Sequence, residues 1–387
     1  MTEEAMIYLN EALDCIQQHS VRRELIDWSA LRRLVIGMAT EAKTPAETYP
    51  AIRRALELLG DRHSMFLDPE TARMRMEGKL SRIGLQAVHP TGVVGVVYPG
   101  SSAEQAAIHV GDRLETINGL AISTLTQDEL YAALQGPQAT LTLTPFEGGL
   151  TRLVSLKAVP FALTRQPRGY PLAGALGYLE VPNAAGLEAS KPFAMLAHQV
   201  IREIDQTPTV GWVIDLRTNT GGALYPMLAA VGPIAGEGEL IGFVAPGEKQ
   251  VAYYREGRAW LEGAENATVE VEEWHTLKRP TPPVAVLTSQ LTASSGEFTA
   301  LAFRGRQYTR SFGEPTRGVP TGNDVKVLTD GAWIGLTTAL GTDRTGQAYD
   351  APLLPDELVT IEWTRLGSAD DPVLQAAIRW LRTEARF

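Results

Sequence analysis

The sequence pattern changes twice along the chain, and this change constrains the fold more than any other feature. Over 1–60, apolar residues recur at helical spacing. From about 82 to 158 they form short β-rich runs separated by turn residues. After a proline-containing stretch at 159–172, apolar strands alternate with helical segments. We therefore expect several structural parts rather than one continuous sheet.

The predicted fold class is a multidomain α/β protein. The pattern predicts an N-terminal helical region over 1–75, a small β-barrel-like module over 80–158 and an α/β core over 170–387. The stretch 159–172 is predicted to be a linker, and 238–278 a polar, hairpin-like insertion in the core. Strands that alternate with helices predict crossover connections within one sheet.

Composition argues against several classes of function. The chain has 35 Lys and Arg, 45 Asp and Glu and a formal net charge of −10, without a basic run, so we expect no nucleic-acid partner. The single cysteine, Cys15, lies in an apolar helical pattern. We expect it to pack in the core rather than to form a disulfide, a metal site or a catalytic thiol. No cofactor or metal is expected, and the pattern predicts no oligomeric state.

The N-terminus begins with acidic residues and lacks the continuous apolar stretch of a signal peptide. No window approaches the ~18 apolar residues of a membrane span. The sequence as it stands therefore predicts a cytoplasmic protein without a membrane span, whereas a cleaved leader would make it an exported one.

Ser294 stands in a small-residue turn between a buried apolar strand and a helix. In such a turn the hydroxyl is exposed, and the amide of Ser295 points the same way at the positive end of the helix. That arrangement suits a nucleophile with an oxyanion donor beside it. The spacing from Ser294 to Glu297 also fits an S-x-x-E capping box, which requires no catalysis. Both interpretations stay open on these residues alone.

Two further turns carry candidate site residues. Gly221 and Gly222 follow an apolar strand, and their backbone could approach a ligand and donate to an oxyanion, or form an ordinary tight turn. His63 follows a helix in a polar turn, where it is either a general base or an exposed histidine. Asp350 or Asp343, in a glycine-rich stretch after a later strand, could orient a histidine.

Together these stretches resemble the C-terminal-processing-peptidase and tricorn-core family of serine peptidases. The matching segments follow the family order over nearly the whole chain: DRHSMF, GLQAV, PGSSAEQAAIHVGDRLETING, LQG, DLRTNTGG, TASSGE and GEPTRG. The resemblance implies a PDZ-like domain over 80–158 and a crotonase-like α/β peptidase core over 170–387. It also implies hydrolysis of peptide bonds in polypeptide substrates.

The resemblance assigns the nucleophile to Ser294, which would form an acyl-enzyme. The oxyanion donors would be the amide of Ser295 and an amide at Gly221 or Gly222. The alternative is a non-catalytic protein that keeps the fold and binds a peptide or an apolar ligand in the cleft. The loss of a family lysine favours this alternative, whereas the intact nucleophile turn and glycine turns favour the peptidase.

The general base is the point at which the chain departs from many family members. These use a lysine in a G-K-G-T segment, but here Gly318 is followed by Val319. The tricorn-like branch uses a histidine, and His63 matches that position, with Asp350 as an approximate match to the supporting acid. Lys326 lies in an alternating strand pattern that predicts a solvent-facing side chain.

The segment Ile83-Gly84-Leu85 resembles the carboxylate-binding loop of PDZ domains. PDZ domains add a peptide as an extra strand at a sheet edge. The resemblance therefore implies binding of a polypeptide, including its free C-terminus, with Arg82 attracting the negative charge. The alternative is that this module is a fixed spacer or lid.

Overall fold

A computed structural model describes residues 1–384, apart from the side chains of 187–188 and 265–267. The first part of the chain forms α1 (Glu3–His19), α2 (Trp28–Met38), α3 (Tyr49–Leu59), β1 (Met65–Leu67), α4 (Pro69–Met76) and β2 (Lys79–Arg82). Short 3-10 turns lie at Arg23–Leu25, Pro45–Thr48, Ile122–Thr124 and Trp363–Arg365. Helix α3 ends at Gly60, whose φ of 67° suits a glycine at a helix end.

The middle part has its own sheet and its own core. Its elements are β3 (Leu85–Val88), β4 (Val93–Val97), α5 (Ser102–Gln105), β5 (Arg113–Ile117), β6 (Leu120–Ala121), α6 (Gln127–Leu134), β7 (Gln138–Thr144) and β8 (Arg152–Lys157). The sheet order is β3-β4-β5-β7-β8, with β6 paired to β5. Buried and exposed residues alternate along β7, as expected for a strand with one face on a core.

The last part contains the remaining elements. They are β9 (Val159–Ala162), β10 (Arg168–Leu172), β11 (Leu176–Glu180), α7 (Leu187–Ile204), β12 (Gly211–Asp215), α8 (Leu224–Ala235), β13 (Gly238–Ala245), β14 (Glu248–Arg255), β15 (Arg258–Leu261), β16 (Ala264–Glu270), β17 (Val284–Thr288), α9 (Ser295–Leu301), β18 (Thr309–Gly313), β19 (Thr321–Val327), β20 (Trp333–Thr342), β21 (Ala348–Tyr349), β22 (Glu357–Leu358) and α10 (Pro372–Glu384). The predicted core ends at 387, and 385–387 lie outside the described residues.

The main sheet brings two polar turns together. Its order is β10-β11-β12-β17-β18-β22, and the strands from β11 to β22 are parallel. The strands β12 and β17 are fully buried, as expected for parallel strands covered on both faces. Since β12 and β17 are neighbours, the turns after them meet at the carboxyl edge of the sheet, where α/β folds place their ligands.

A second sheet packs against the N-terminal helices. Its order is β1-β20-β13-β14-β15-β16, and β19 and β21 also pair with β20. Residues of α1, α2 and α3 share one hydrophobic cluster with Leu328, Ile334 and Leu336 of this sheet. The helical region is therefore packed on the α/β core.

Two expectations about this part need correction. The predicted linker at 159–172 is wrong, because it contains β9, which pairs with β2, and β10, which is the edge strand of the main sheet. Proline is tolerated in edge strands, so Pro171 does not prevent pairing. The hairpin pattern of 238–278 is correct, but β13 pairs with β20, so these strands belong to the second sheet.

Cys15 is half-buried on the flank of α1 rather than fully in the core, and burial raises the pKa of its thiol. Within residues 1–384, the structure contains no helix that is both long and apolar enough to cross a membrane.

Candidate active site

Ser294 has the backbone conformation of a strained turn rather than that of an ordinary helix cap. Its φ is 54° and its ψ is −119°, whereas a capping residue normally has extended angles. A non-glycine residue with positive φ is uncommon and marks strain of the kind that accumulates at functional sites. The side chain is partly exposed in a cleft of about 730 Å³.

Two backbone amides near Ser294 are available as donors. Ser295 is the first residue of α9, where the helix leaves its N–H groups without internal partners. Gly222 is held next to this turn, because the Ser295 hydroxyl donates to the Gly222 carbonyl oxygen at 2.7 Å. Neither amide has a hydrogen-bond acceptor among the contacts described for residues 1–384.

Gly221 lies against the nucleophile turn, but its amide is occupied. A Cβ on Gly221 would lie 2.9 Å from the Cβ of Ser294, so only glycine fits there. The Gly221 amide donates to the Asn219 side chain at 2.9 Å. Of the two glycines predicted as oxyanion donors, Gly222 therefore has the free N–H, and Gly221 provides the space.

Glu297 connects the nucleophile turn to the segment that follows β18. Its side chain is fully buried and accepts four hydrogen bonds. The donors are the Ser294 amide at 2.8 Å, the Thr316 hydroxyl at 2.6 Å, the Gly318 amide at 2.9 Å and the Val319 amide at 3.0 Å. Burial raises the pKa of Glu297 to about 7, although these four donors act in the opposite direction.

His63 is held by the turn before β1 and by β19. Its Nδ1 lies 2.7 Å from the Thr321 hydroxyl oxygen, and its backbone carbonyl accepts from the Asn323 side chain at 3.0 Å. The carboxylate of Asp61 accepts the His63 amide at 3.0 Å and also binds Ser64. These contacts leave Nε2 as the ring nitrogen without a hydrogen-bond partner in the described part of the chain.

The His63 imidazole is a base that stays neutral over a wide pH range. Burial lowers its pKa to about 4, the nearby Asp61 charge opposes this, and the charge of Arg317 lowers it further. No described contact is a direct hydrogen bond between His63 and Ser294. The two are joined indirectly, because Thr321 binds His63 and the segment just before Thr321 binds Glu297.

The structure does not bring the predicted supporting acids to His63. Asp350 is exposed, and Asp343 accepts from the Tyr349 hydroxyl at 2.8 Å. Within the described residues, neither carboxylate contacts His63, and Thr321 occupies the position beside Nδ1. Lys326 is half-buried rather than solvent-facing, and its charge acts on Cys15 of α1, so it lies on the side of the N-terminal helices.

The predicted peptide-binding segment lies at a second opening. Ile83 is fully buried in the core of the middle module, whereas Gly84 and Leu85 line a pocket of about 80 Å³ between β3 and α6. Gly84 has a φ of 81°, and a Cβ there would lie 2.0 Å from Ser101. Gly222 lines this pocket as well as the cleft at Ser294, so the two openings meet at this glycine.

Comparisons with known proteins match two parts of the chain. A family profile described as "Peptidase family S41" matches residues 175–359, and a PDZ domain profile matches 72–144. The α/β core of the chain is a peptidase family S41 domain. The chain is a serine-type peptidase with a PDZ domain, and its multidomain α/β fold is the predicted one. These findings do not favour the alternative of a non-catalytic binding protein.

The similar proteins include two curated relatives and one solved structure. The carboxyl-terminal-processing protease of Synechocystis sp. is 28% identical over 86% of this chain and 76% of its own. The chloroplastic carboxyl-terminal-processing peptidase 2 of Arabidopsis thaliana is 26% identical over 96% of this chain and 73% of its own. The photosystem II D1 C-terminal processing protease matches with a TM-score of 0.63 and 22% identity, covering 97% of this chain and 100% of its own.

Three residues of the site were not identified as site residues from the sequence. Thr321 and Asn323 lie 258 and 260 positions from His63, and no local pattern connects them. Glu297 was identified only as half of a capping box. The spacing correctly indicated its bond to the Ser294 amide but gave no sign of its bonds to the segment after β18.

Proposed function

We propose that this peptidase cleaves peptide bonds through an acyl-enzyme at Ser294, with His63 as general base. The observation that carries the proposal is the strained Ser294 turn with two unoccupied amides, those of Ser295 and Gly222, beside it. A tetrahedral intermediate needs such preorganised donors where its negative charge develops. A helix cap alone would require neither the positive φ nor the glycine packed on Ser294.

In the proposed reaction, Nε2 of His63 takes the proton of the Ser294 hydroxyl while Oγ attacks the carbonyl carbon of the substrate. The two amides donate to the oxyanion, and the protonated imidazole then gives its proton to the leaving amine. A water molecule hydrolyses the acyl-enzyme by the same route. Thr321 accepts from Nδ1 and thereby keeps Nε2 free to act as the base.

A fluorophosphonate probe tests this assignment directly. The unmodified protein should be labelled on Ser294, and Ser294→Ala should abolish both labelling and peptide hydrolysis. His63→Gln should reduce the labelling rate, since the hydroxyl is then no longer activated. Labelling of Ser295 instead, or undiminished labelling of Ser294→Ala, would contradict the assignment.

We also propose that the PDZ domain receives the C-terminus of the substrate. Arg75 and Arg82 line the pocket between β3 and α6, and neither has a carboxylate within 4.0 Å among the described residues. Burial and the charge of Arg82 both lower the pKa of Arg75, as expected for two cations that lack a counter-ion. A carboxylate bound there would supply that charge.

The competing view of the PDZ domain is that of a fixed spacer or lid. Arg317 of the core lies 3.9 Å from the centroid of the Tyr131 ring on α6 and pairs with Asp128 at 3.2 Å. Binding of one peptide with a free or an amidated C-terminus to Ser294→Ala protein separates the two views. We expect weaker binding of the amidated peptide, and a loss of this difference in Arg82→Gln. Equal binding of both peptides would leave only the spacer role.

The division into a helical region at 1–75, a PDZ-like domain at 80–158 and a peptidase core at 170–387 stays a proposal. It is supported by the separate sheet and separate hydrophobic cluster of the middle part. Limited proteolysis tests it: early cuts should fall near 77–78 or 163–167, outside the paired strands β2, β9 and β10. Early cuts within β3–β8 would contradict this division.

A further inference from the structure

The cleft beside Ser294 has an apolar floor that is shaped by the fold. Phe243 and Phe298 line it, and their ring centroids lie 4.9 Å apart. Gly322 lies directly against Phe243, since a Cβ there would come within 2.8 Å of the ring. A polypeptide that lies across Ser294 therefore meets a preformed apolar surface, which accounts for part of its binding but for no charge preference.

The N-terminal helical region contributes another wall of the same cleft. Gln18 and His19 at the end of α1, and Arg23 in the following 3-10 turn, line it. The amide of Val21 donates to the carbonyl of Thr337 at 2.9 Å, which attaches this segment to β20. The wall is therefore held in place by the core sheet and does not depend on a mobile arm.

Most of the N–H donors of the Arg23 guanidinium make no hydrogen bond to the described residues. Its one described side-chain hydrogen bond runs from Nη1 to the Ser20 carbonyl at 3.3 Å, and no carboxylate lies within 4.0 Å of it among the described residues. Glu248 and Asp324 also line the cleft, but both are exposed and neither pairs with Arg23. A guanidinium presents a planar set of donors that fits a carboxylate in a bidentate manner.

We propose that Arg23, with His19 beside it, binds a carboxylate of the polypeptide substrate and gives the peptidase a preference for substrates with an anionic group near the scissile bond. This inference rests on the proposed function, because it requires the substrate to lie along the cleft from Ser294. The carboxylate has two sources, an Asp or Glu side chain and the chain terminus. A substrate whose terminus occupies the PDZ pocket would present a side chain to Arg23.

The test uses quenched fluorescent peptides that share one cleavable core. In the first pair, one peptide carries Asp and the other Asn at the same position, and both have amidated C-termini. This pair is made once with the position before the scissile bond and once with the position after it. A second pair carries Asn with a free or an amidated C-terminus. The preference is the ratio of kcat/KM for the anionic and neutral members of a pair. We expect Arg23→Gln to lower it about tenfold, the size of one charge-assisted hydrogen bond.

Arg33→Gln is the matched control, because Arg33 is an exposed arginine on α2 that does not line the cleft. It should leave the preference unchanged, and Arg23→Lys should retain part of it. A loss confined to the Asp/Asn pair identifies a side-chain carboxylate, and a loss confined to the second pair identifies the terminus. No preference in the unmodified protein, or an equal preference in Arg23→Gln, would overturn the inference.

Binding of the same peptides to Ser294→Ala protein, measured by fluorescence anisotropy, gives a readout that does not depend on turnover. If the unmodified protein cleaved no peptide, the proposed function would fail. The anisotropy difference between Asp and Asn peptides, and its loss in the Arg23→Gln, Ser294→Ala double variant, would still decide the role of Arg23. Thermal unfolding of each variant checks that the fold is retained.

Discussion

Glu297→Gln tests whether one buried carboxylate holds the nucleophile turn. Oε2 accepts the amides of Ser294 and Val319, and Oε1 accepts the Gly318 amide and the Thr316 hydroxyl. A glutamine side chain has only one acceptor oxygen. In its more favourable orientation this oxygen still accepts the amides of Ser294 and Val319, and the NH2 group then faces the amide of Gly318. One buried backbone N–H then loses its acceptor, which costs about 1–3 kcal/mol.

The same substitution also removes an unfavourable buried charge. Burial raises the pKa of Glu297 from 4.5 to about 7, and at about 1.36 kcal/mol per pKa unit the ionised form is penalised by roughly 3 kcal/mol. The two effects on folding stability therefore nearly cancel, and the variant should remain folded. Activity should not recover in the same way, because the displaced Gly318 lies in the segment that leads to Thr321, which holds the His63 ring. A loss of about 1–3 kcal/mol in the transition state corresponds to roughly a 5- to 150-fold lower kcat/KM.

Activity and folding stability should depend on pH with opposite signs, because both respond to the protonation of Glu297. The ionised carboxylate accepts four hydrogen bonds, and protonation replaces one acceptor site with a donor. The kcat/KM of the unmodified enzyme should therefore fall as the pH drops through about 7. Below that pH, the ratio of kcat/KM between the unmodified enzyme and Glu297→Gln should shrink towards one. Folding stability changes with pH in the opposite direction, because the pKa of Glu297 is higher in the folded than in the unfolded protein. Glu297 contributes stability below its unfolded pKa of about 4.5, and this contribution is lost as the pH rises through about 7.

The assay is kcat/KM on one peptide from pH 5 to 9, with thermal unfolding of each protein. Glu314→Gln is the control, because Glu314 is a partly buried glutamate whose pKa is also raised by burial, and it contacts Ile361 rather than the nucleophile turn. Full activity of Glu297→Gln at pH 8, or an equal loss in Glu314→Gln, would refute this reasoning.

Four further substitutions probe the site with the same peptide assay. Ser294→Ala should lower kcat by about 10³-fold or more, whereas Ser295→Ala should cost about tenfold, since only its bond to the Gly222 carbonyl is lost. Gly222→Ala should abolish turnover and lower the unfolding temperature, because a Cβ there would lie 1.8 Å from the backbone oxygen of Ala184 and displace the Gly222 turn. In the same assay extended below pH 4, Arg317→Gln should move the acid limb that His63 produces to higher pH, because burial and the charge of Arg317 together lower the pKa of His63 to about 4. A like shift in Arg62→Gln would contradict this.

The fold was largely predictable where burial leaves a simple pattern. Strands β11, β12 and β17 are buried on both faces and read as apolar runs. The edge strands β9 and β10 were missed because they contain proline and glycine and resemble a linker. Their pairing depends on partners elsewhere in the chain, which no local pattern reveals.

The site was predictable where it follows directly from strand order and not where it depends on long-range contacts. Ser294 and Gly222 lie in the turns that follow two neighbouring parallel strands, so their meeting follows from the alternating pattern. The resemblance implies an acid as the partner of His63, but the structure places the Thr321 hydroxyl at Nδ1. Asp350 is only an approximate match to the supporting acid of the family, and the structure leaves it exposed at the surface.

The segment that leads into β19 and the start of this strand connect the Ser294 turn with His63. The segment entering this strand gives the amides of Gly318 and Val319 to Glu297, which also holds the Ser294 amide. The strand then gives the Thr321 hydroxyl to the His63 ring. A shift of this strand would move the base and the nucleophile turn together. The proposed mechanism therefore needs no acid beside the histidine, because the buried glutamate positions both groups through the backbone.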